Sequence, residues 1–301
     1  MFAWSSISLS IFFLGIIIFI IITSTPITTQ RLTYMQAGDL DVEKAYSYII
    51  SMYDGNVGLV RENEYIDKYW LWTDNLLASH ALKDKDPELS AKIYNKIREY
   101  TDVYNLEFRH PIAVLFNQPA YFKPVVDTNV TGNVWASIAG NGEDLSCSDY
   151  VDIAFLKAIY YYNARQYNDA KACYEYGISM FDGYGFKDEA FYADGEKYTT
   201  YKLALWKIAA DITGYGDAEE ALQIIALMQD PATGGVYTHY KKDMSIDSMT
   251  NVETTALAIL AYSSKPKPQE QSDIIKDRWP LEYYIIVSVI IAAIIAIFLR
   301  R

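Results

Sequence analysis

Apolar residues fall into two patterns along this chain. At each end they run unbroken, over residues 2–22 and 281–299, and each run matches the ~20 residues an α-helix needs to cross a bilayer core. Between the runs, apolar positions recur at three- and four-residue steps, the spacing of a helix with a buried face. That spacing predicts helices over residues 41–53, 65–83, 86–104, 149–163, 166–181, 196–213, 217–230 and 251–263. Asp86-Pro87-Glu88 opens the third with a cap, a first-turn proline and an acid. Asp217 with Glu220, and Thr250 with Glu253, read as capping boxes. Residues 105–146 carry Pro111, Pro119 and Pro124 and read as irregular, and Lys265-Pro266-Lys267-Pro268 reads as a stiff linker. The predicted organisation is a signal anchor over 1–24, a helical domain over 25–264, a linker over 265–280 and a second anchor over 281–301.

A unit repeats within the domain. Met52-Tyr53-Asp54-Gly55, Met180-Phe181-Asp182-Gly183 and Met228-Gln229-Asp230 each end a helix and lead into a glycine-bearing loop. Each loop is followed by a helix of small and apolar residues, containing Leu76-Leu77-Ala78, Leu203-Ala204-Leu205 or Ala256-Leu257-Ala258. Glycine suits such loops because it enters the left-handed conformation without a steric cost. Helices after the loops have few charges and are predicted to be buried, whereas those before them are amphipathic. The expected fold is therefore all-α, in two concentric layers.

The stretch Ile224-Ile225-Ala226-Leu227-Met228-Gln229-Asp230-Pro231-Ala232-Thr233-Gly234-Gly235-Val236, continued by Glu253-Thr254-Thr255-Ala256-Leu257-Ala258-Ile259-Leu260-Ala261, resembles one repeat of the α/α-toroid superfamily. That superfamily includes terpenoid cyclases and protein prenyltransferases, and six-hairpin glycosidases share its layered architecture. The resemblance implies an inner ring of helices around a central cleft, rimmed by the glycine-bearing loops. It speaks to fold more than to function. The aspartate-rich motif of the cyclases is absent. Cys147-Ser148-Asp149 reverses the order of the prenyltransferase zinc ligands, with His239 far downstream. No metal and no cofactor are expected.

Charge narrows the partners. The net charge is −12, and both terminal runs are nearly free of charge, so the acidity belongs to the domain. An acidic surface repels phosphate backbones, which argues against nucleic acid. The expected partners are the lipid bilayer at both termini and a glycan or protein ligand. Cys147 and Cys173 are the only cysteines, an even number that permits one disulfide, although two buried thiols are the alternative. Asn129-Val130-Thr131 fits the glycosylation acceptor pattern. Both features favour an extracytoplasmic domain, and with the two terminal runs the expected arrangement is a two-pass cell-membrane protein.

Candidate chemistry rests on carboxylates, because paired acids drive glycoside hydrolysis. Asp74 stands in an aromatic helix otherwise set for burial, beside Trp70 and Trp72. Asp182 and Glu189 fall in the second glycine loop, with Tyr184 and Phe186 interleaved. His239 lies between tyrosines in the third. Asp74, Asp182 and Glu189 are the catalytic candidates; Trp70, Trp72, Tyr184, Phe186 and His239 are the ligand-binding ones. For each, a packing, capping or solvated role is the alternative. The favoured function is a membrane-anchored protein that binds glycan, peptide or envelope partners. The competing one is a membrane-bound glycoside hydrolase or lyase.

Overall fold

Asp41 starts the first described helix, α1 (Val42–Ser51), by accepting the Lys44 amide at 3.0 Å. The computed structural model describes residues 38–188, 190 and 197–264. After α1 come three short strands, β1 (Tyr53–Asp54), β2 (Leu59–Val60) and β3 (Tyr69–Trp70), then a π-helical turn (Leu71–Asn75) that runs directly into α2 (Leu76–Ala81). Asp86 caps α3 (Pro87–Val103) by accepting the Leu89 amide at 2.9 Å. A 3₁₀ helix (Pro111–Phe116) follows, then the hairpin of β4 (Val125–Thr131) and β5 (Val134–Ala139). The rest is α4 (Val151–Asn163), α5 (Tyr167–Ser179), β6 (Lys197–Thr199), α6 (Thr200–Thr213), α7 (Glu219–Leu227), β7 (Val236–Tyr237), β8 (His239–Lys241), β9 (Thr250–Asn251) and α8 (Val252–Ser263).

Four small sheets organise the loops. Strand β5 is central in one, antiparallel to β4 and parallel to β3, with Trp70 opposite Trp135. The others are antiparallel pairs: β1 with β2, β6 with β8, and β7 with β9. The three glycine loops share one construction. Each closes on an antiparallel pair, Tyr53 with Val60, Phe181 with Phe186, and Gln229 with Val236. In each, the aspartate accepts an amide two residues on: Asp54 from Asn56 at 2.8 Å, Asp182 from Tyr184 at 3.0 Å, Asp230 from Ala232 at 3.0 Å. Each loop also holds a glycine at positive φ: Gly58, Gly183 or Gly234.

The core is an arc of helices. Helix α6 packs on α4 and on α8, and α8 packs on α2. Helices α2, α6 and α8 are buried on nearly every face; Leu77, Leu203 and Leu257 are all fully enclosed. Each such side chain contributes roughly 1.5–3 kcal/mol by leaving water. The two lysines buried in α6 are paired: Lys202 Nζ lies 2.6 Å from Asp188, and Lys207 Nζ lies 2.7 Å from Asp211. Cys147 and Cys173 form a disulfide with a Cα–Cα distance of 5.3 Å, fastening the approach to α4 onto α5.

The fold is mixed α/β rather than an all-α toroid: 48% of the structure is helix and 15% is strand, in several small sheets. The strands are two to seven residues long, too short for alternation to register against the helical period. The helix expected over 65–83 divides into β3, the π turn and α2, and the stretch expected to be irregular contains the 3₁₀ helix, β4 and β5. The assignment as a two-pass membrane protein is also withdrawn. Among the described residues no helix is long and apolar enough to cross a membrane. The longest of them, α3, carries Glu88, Lys92, Lys96, Arg98, Glu99 and Asp102 on its outer faces. The runs 2–22 and 281–299 and the linker 265–280 lie outside the described residues.

Candidate functional site

The entry turns of the arc helices line two cavities, the lobes of the candidate cleft, that share Glu253. Asp74 comes from the π turn before α2, Asp152 from the first turn of α4, Tyr201 and Lys202 from that of α6, and Glu253 from that of α8. A smaller lobe of about 290 Å³ is lined by Glu62, Trp70, Thr73, Asp74, Asp127, Ser137, Asn251 and Glu253. A larger lobe of about 470 Å³ lies against Asp152, Tyr201, Lys202 and Glu253, with many apolar neighbours. Glu253 is common to both lobes.

Backbone chemistry fixes this arrangement. Asn75 clamps the π turn: its Oδ1 accepts the Val60 amide at 2.7 Å, and its Nδ2 donates to the carbonyls of Val60 at 3.0 Å and Trp70 at 2.8 Å. The turn takes up one extra residue just where the β3 ladder stops, a distortion that often accompanies a functional position. It leaves Asp74 buried, with Thr73 Oγ1 3.3 Å from Oδ1. Asp74 Oδ2 has no hydrogen-bond partner among the described residues. On the facing element, Asn251 caps α8 by accepting the Thr254 amide at 2.8 Å. That frees the Glu253 side chain for the cleft, in place of the predicted capping box with Thr250. The carbonyl of Glu62 accepts the Val252 amide at 2.9 Å, so Glu62 is held at the start of α8. Its carboxylate accepts Trp70 Nε1 at 3.1 Å.

The acids influence one another. Burial first, then the charges of Glu253 and Glu62, raises Asp74 well above the usual carboxylate range. Burial, followed by the charges of Asp152 and Glu62, pushes Glu253 up to about 7. Burial raises Asp152 as well, opposed by the Lys202 cation. Tyr201 is raised by burial and by the charges of Asp152, Glu253 and Asp188. Burial and mutual repulsion therefore bias Asp74, Glu253 and Asp152 toward the protonated form, as a general acid requires. The acids line the cleft walls rather than one point. Among the described residues no three His, Cys, Asp or Glu side chains form a group able to hold a metal ion.

Of the residues singled out from sequence, Asp74 and Trp70 meet in the smaller lobe. One side of Trp70 is covered by Lys68, whose Nζ lies 4.1 Å from the ring centre and 4.4 Å from that of Trp135. The others are placed elsewhere. Trp72 is buried edge-on against Phe108. Asp182 closes its glycine loop and accepts Tyr198 Oη at 2.6 Å, the position Asp54 holds in the first loop, where it accepts Tyr69 Oη at 2.9 Å. Phe186 is buried among Phe155, Phe181 and Trp206. Tyr184 gives its carbonyl to Tyr240 Oη at 2.7 Å, and His239 Nδ1 lies 2.8 Å from Thr238 Oγ1. Burial lowers His239 to about 4, so it is neutral at physiological pH. Asn129 is exposed on β4, its Nδ2 donating to the Gly132 carbonyl at 2.9 Å. Glu189 lies outside the described residues. Glu62, Asp152 and Glu253 had not been singled out as site residues. The sequence signal for Glu253 was an acid opening an otherwise uncharged helix.

No protein-family model matches the chain, and no curated protein matches it either.

Proposed function

We propose that this protein hydrolyses glycosidic bonds in neutral glycans. The observation that carries the reading is the smaller lobe, where Asp74 and Glu253, both biased toward the protonated form, share a cleft with the fixed carboxylate of Glu62. Glu253 delivers its proton to the leaving glycosidic oxygen as that carbon–oxygen bond breaks. A carboxylate of the same lobe, Glu62, takes a proton from the water that bonds to the anomeric carbon. Asp74, protonated and with an unsatisfied oxygen, holds a sugar hydroxyl. Two acids of opposite protonation are the requirement for this reaction. A lyase acting on uronates is disfavoured, since an anionic sugar is repelled by this lobe and by a chain of net charge −12.

The test is release of reducing ends by the full chain from neutral oligosaccharides (glucans, xylans, mannans), with uronate polymers as the contrast. Turnover of a neutral glycan is expected. Glu253→Gln should lower it by about 100-fold or more, and Asp74→Asn should reduce it while leaving the thermal melt cooperative. Saturable glycan binding without bond cleavage would replace hydrolysis by recognition. Neither binding nor cleavage across the panel would remove glycans altogether.

A further inference from the structure

The larger lobe differs in character from the smaller one. It is walled by Ile112, Leu145, Ile153, Leu156, Leu205 and Leu257. Its volume, about 470 Å³, falls in the range of roughly 300–1,000 Å³ typical of small-molecule sites. Two of its ionisable groups interact with Glu253: the charge of Asp152 acts on Glu253, and that of Glu253 acts on Tyr201. Its two lysines are paired, Lys202 with Asp188 and Lys123 with Asp144. His110 is committed locally, because its Nδ1 accepts the Ile112 amide at 3.1 Å. Glu253 thus borders a polar chamber suited to a sugar ring and a predominantly apolar one less suited to it. A second sugar in the larger lobe would leave its hydroxyls facing aliphatic side chains, a poor exchange for water.

Resting on the hydrolytic reading above, we propose that the larger lobe receives an apolar leaving group, so that glycosides of hydrophobic alcohols are preferred over oligosaccharides. The sugar occupies the lobe of Glu62, Trp70 and Asp74. The glycosidic oxygen lies at Glu253, and the aglycone extends along Leu145 and Leu156.

The test uses methyl and octyl glycosides of glucose, galactose, mannose and xylose, below their micelle concentrations. Binding to the full-chain Glu253→Gln variant is followed by calorimetry, and turnover is measured with the unsubstituted protein. For at least one sugar the octyl glycoside should bind tenfold or more tightly than the methyl glycoside, since each buried methylene adds to transfer. Leu145 is only half-buried and replaceable without opening the core. Leu145→Trp, which takes up part of the lobe beside the proposed aglycone path, should weaken the octyl preference and spare methyl glycoside affinity. Leu145→Ala should keep the preference and report any general damage. Equal binding of octyl and methyl glycosides, or an octyl preference untouched by Leu145→Trp, overturns the proposal. The two readings fail separately. Cleavage of oligosaccharides with no octyl preference rejects only the aglycone site. An octyl preference weakened in Leu145→Trp, without turnover of any glycoside, rejects only hydrolysis.

Discussion

Glu253 retains a proton in the folded protein that it releases in the unfolded chain. Its value rises from the ordinary glutamate range near 4.3 to about 7 in the cleft. Across that window the native state binds more protons than the unfolded state, so stability falls as pH rises. Glu253→Gln removes the ionisation. The variant should match the unsubstituted protein at pH 4 and gain on it steadily to pH 8, by on the order of 3 kcal/mol. Thermal melts of both proteins across this range check it; parallel melts would mean that Glu253 ionises without hindrance. Asp74 was legible in the sequence because a charge within an aromatic run stands out. Glu253 was not, because an acid two residues into a helix is ordinarily a dipole partner or part of a cap. Asn251 took the cap, a choice between neighbouring polar residues that only packing decides.

At the level of elements, the helices were legible and the strands were not. Starts such as Asp41 and Asp86 announce themselves through local side-chain chemistry, independent of the rest of the chain. Strand β3 depends on β5, which lies more than sixty residues further on, as in the pairing of Trp70 with Trp135; no local pattern encodes such a partner. The π turn is similarly non-local, since Asn75 finds Val60 on another strand. The disulfide between Cys147 and Cys173 closes a loop of 26 residues between the approach to α4 and the middle of α5. Replacing both cysteines by serine should lower stability by about 3 kcal/mol, mostly through the freer unfolded chain. The measurement is a denaturant titration of the oxidised protein and the double variant. Superimposable curves would show that helix packing alone fixes this segment.

Across the molecule, the first described helix is fastened to the last part of the fold. Gln229 donates to the Asp41 carbonyl at 2.9 Å and accepts the Asp41 amide at 2.8 Å. Gly234, at φ +83°, leaves no room for a side chain: a Cβ there would stand 2.4 Å from the Lys44 carbonyl oxygen. Gly234→Ala combines backbone strain with that collision. It should cost more than the ~1 kcal/mol typical of an exposed glycine replacement, read as a lowered melting temperature with the disulfide intact. An unchanged melt would mean that this loop is not a fastening. Helix α1 also packs directly on α8, which carries Glu253.

The cleft consequently draws its walls from segments distant in order of synthesis. A ribosome that has released everything through α7 has delivered Asp74, Asp152 and Tyr201, but not the acid that stands between the two lobes. Nascent chains therefore have an incomplete cleft until α8 has emerged and docked, and a translation product that stops short of it lacks the wall common to both lobes however well its earlier helices have packed.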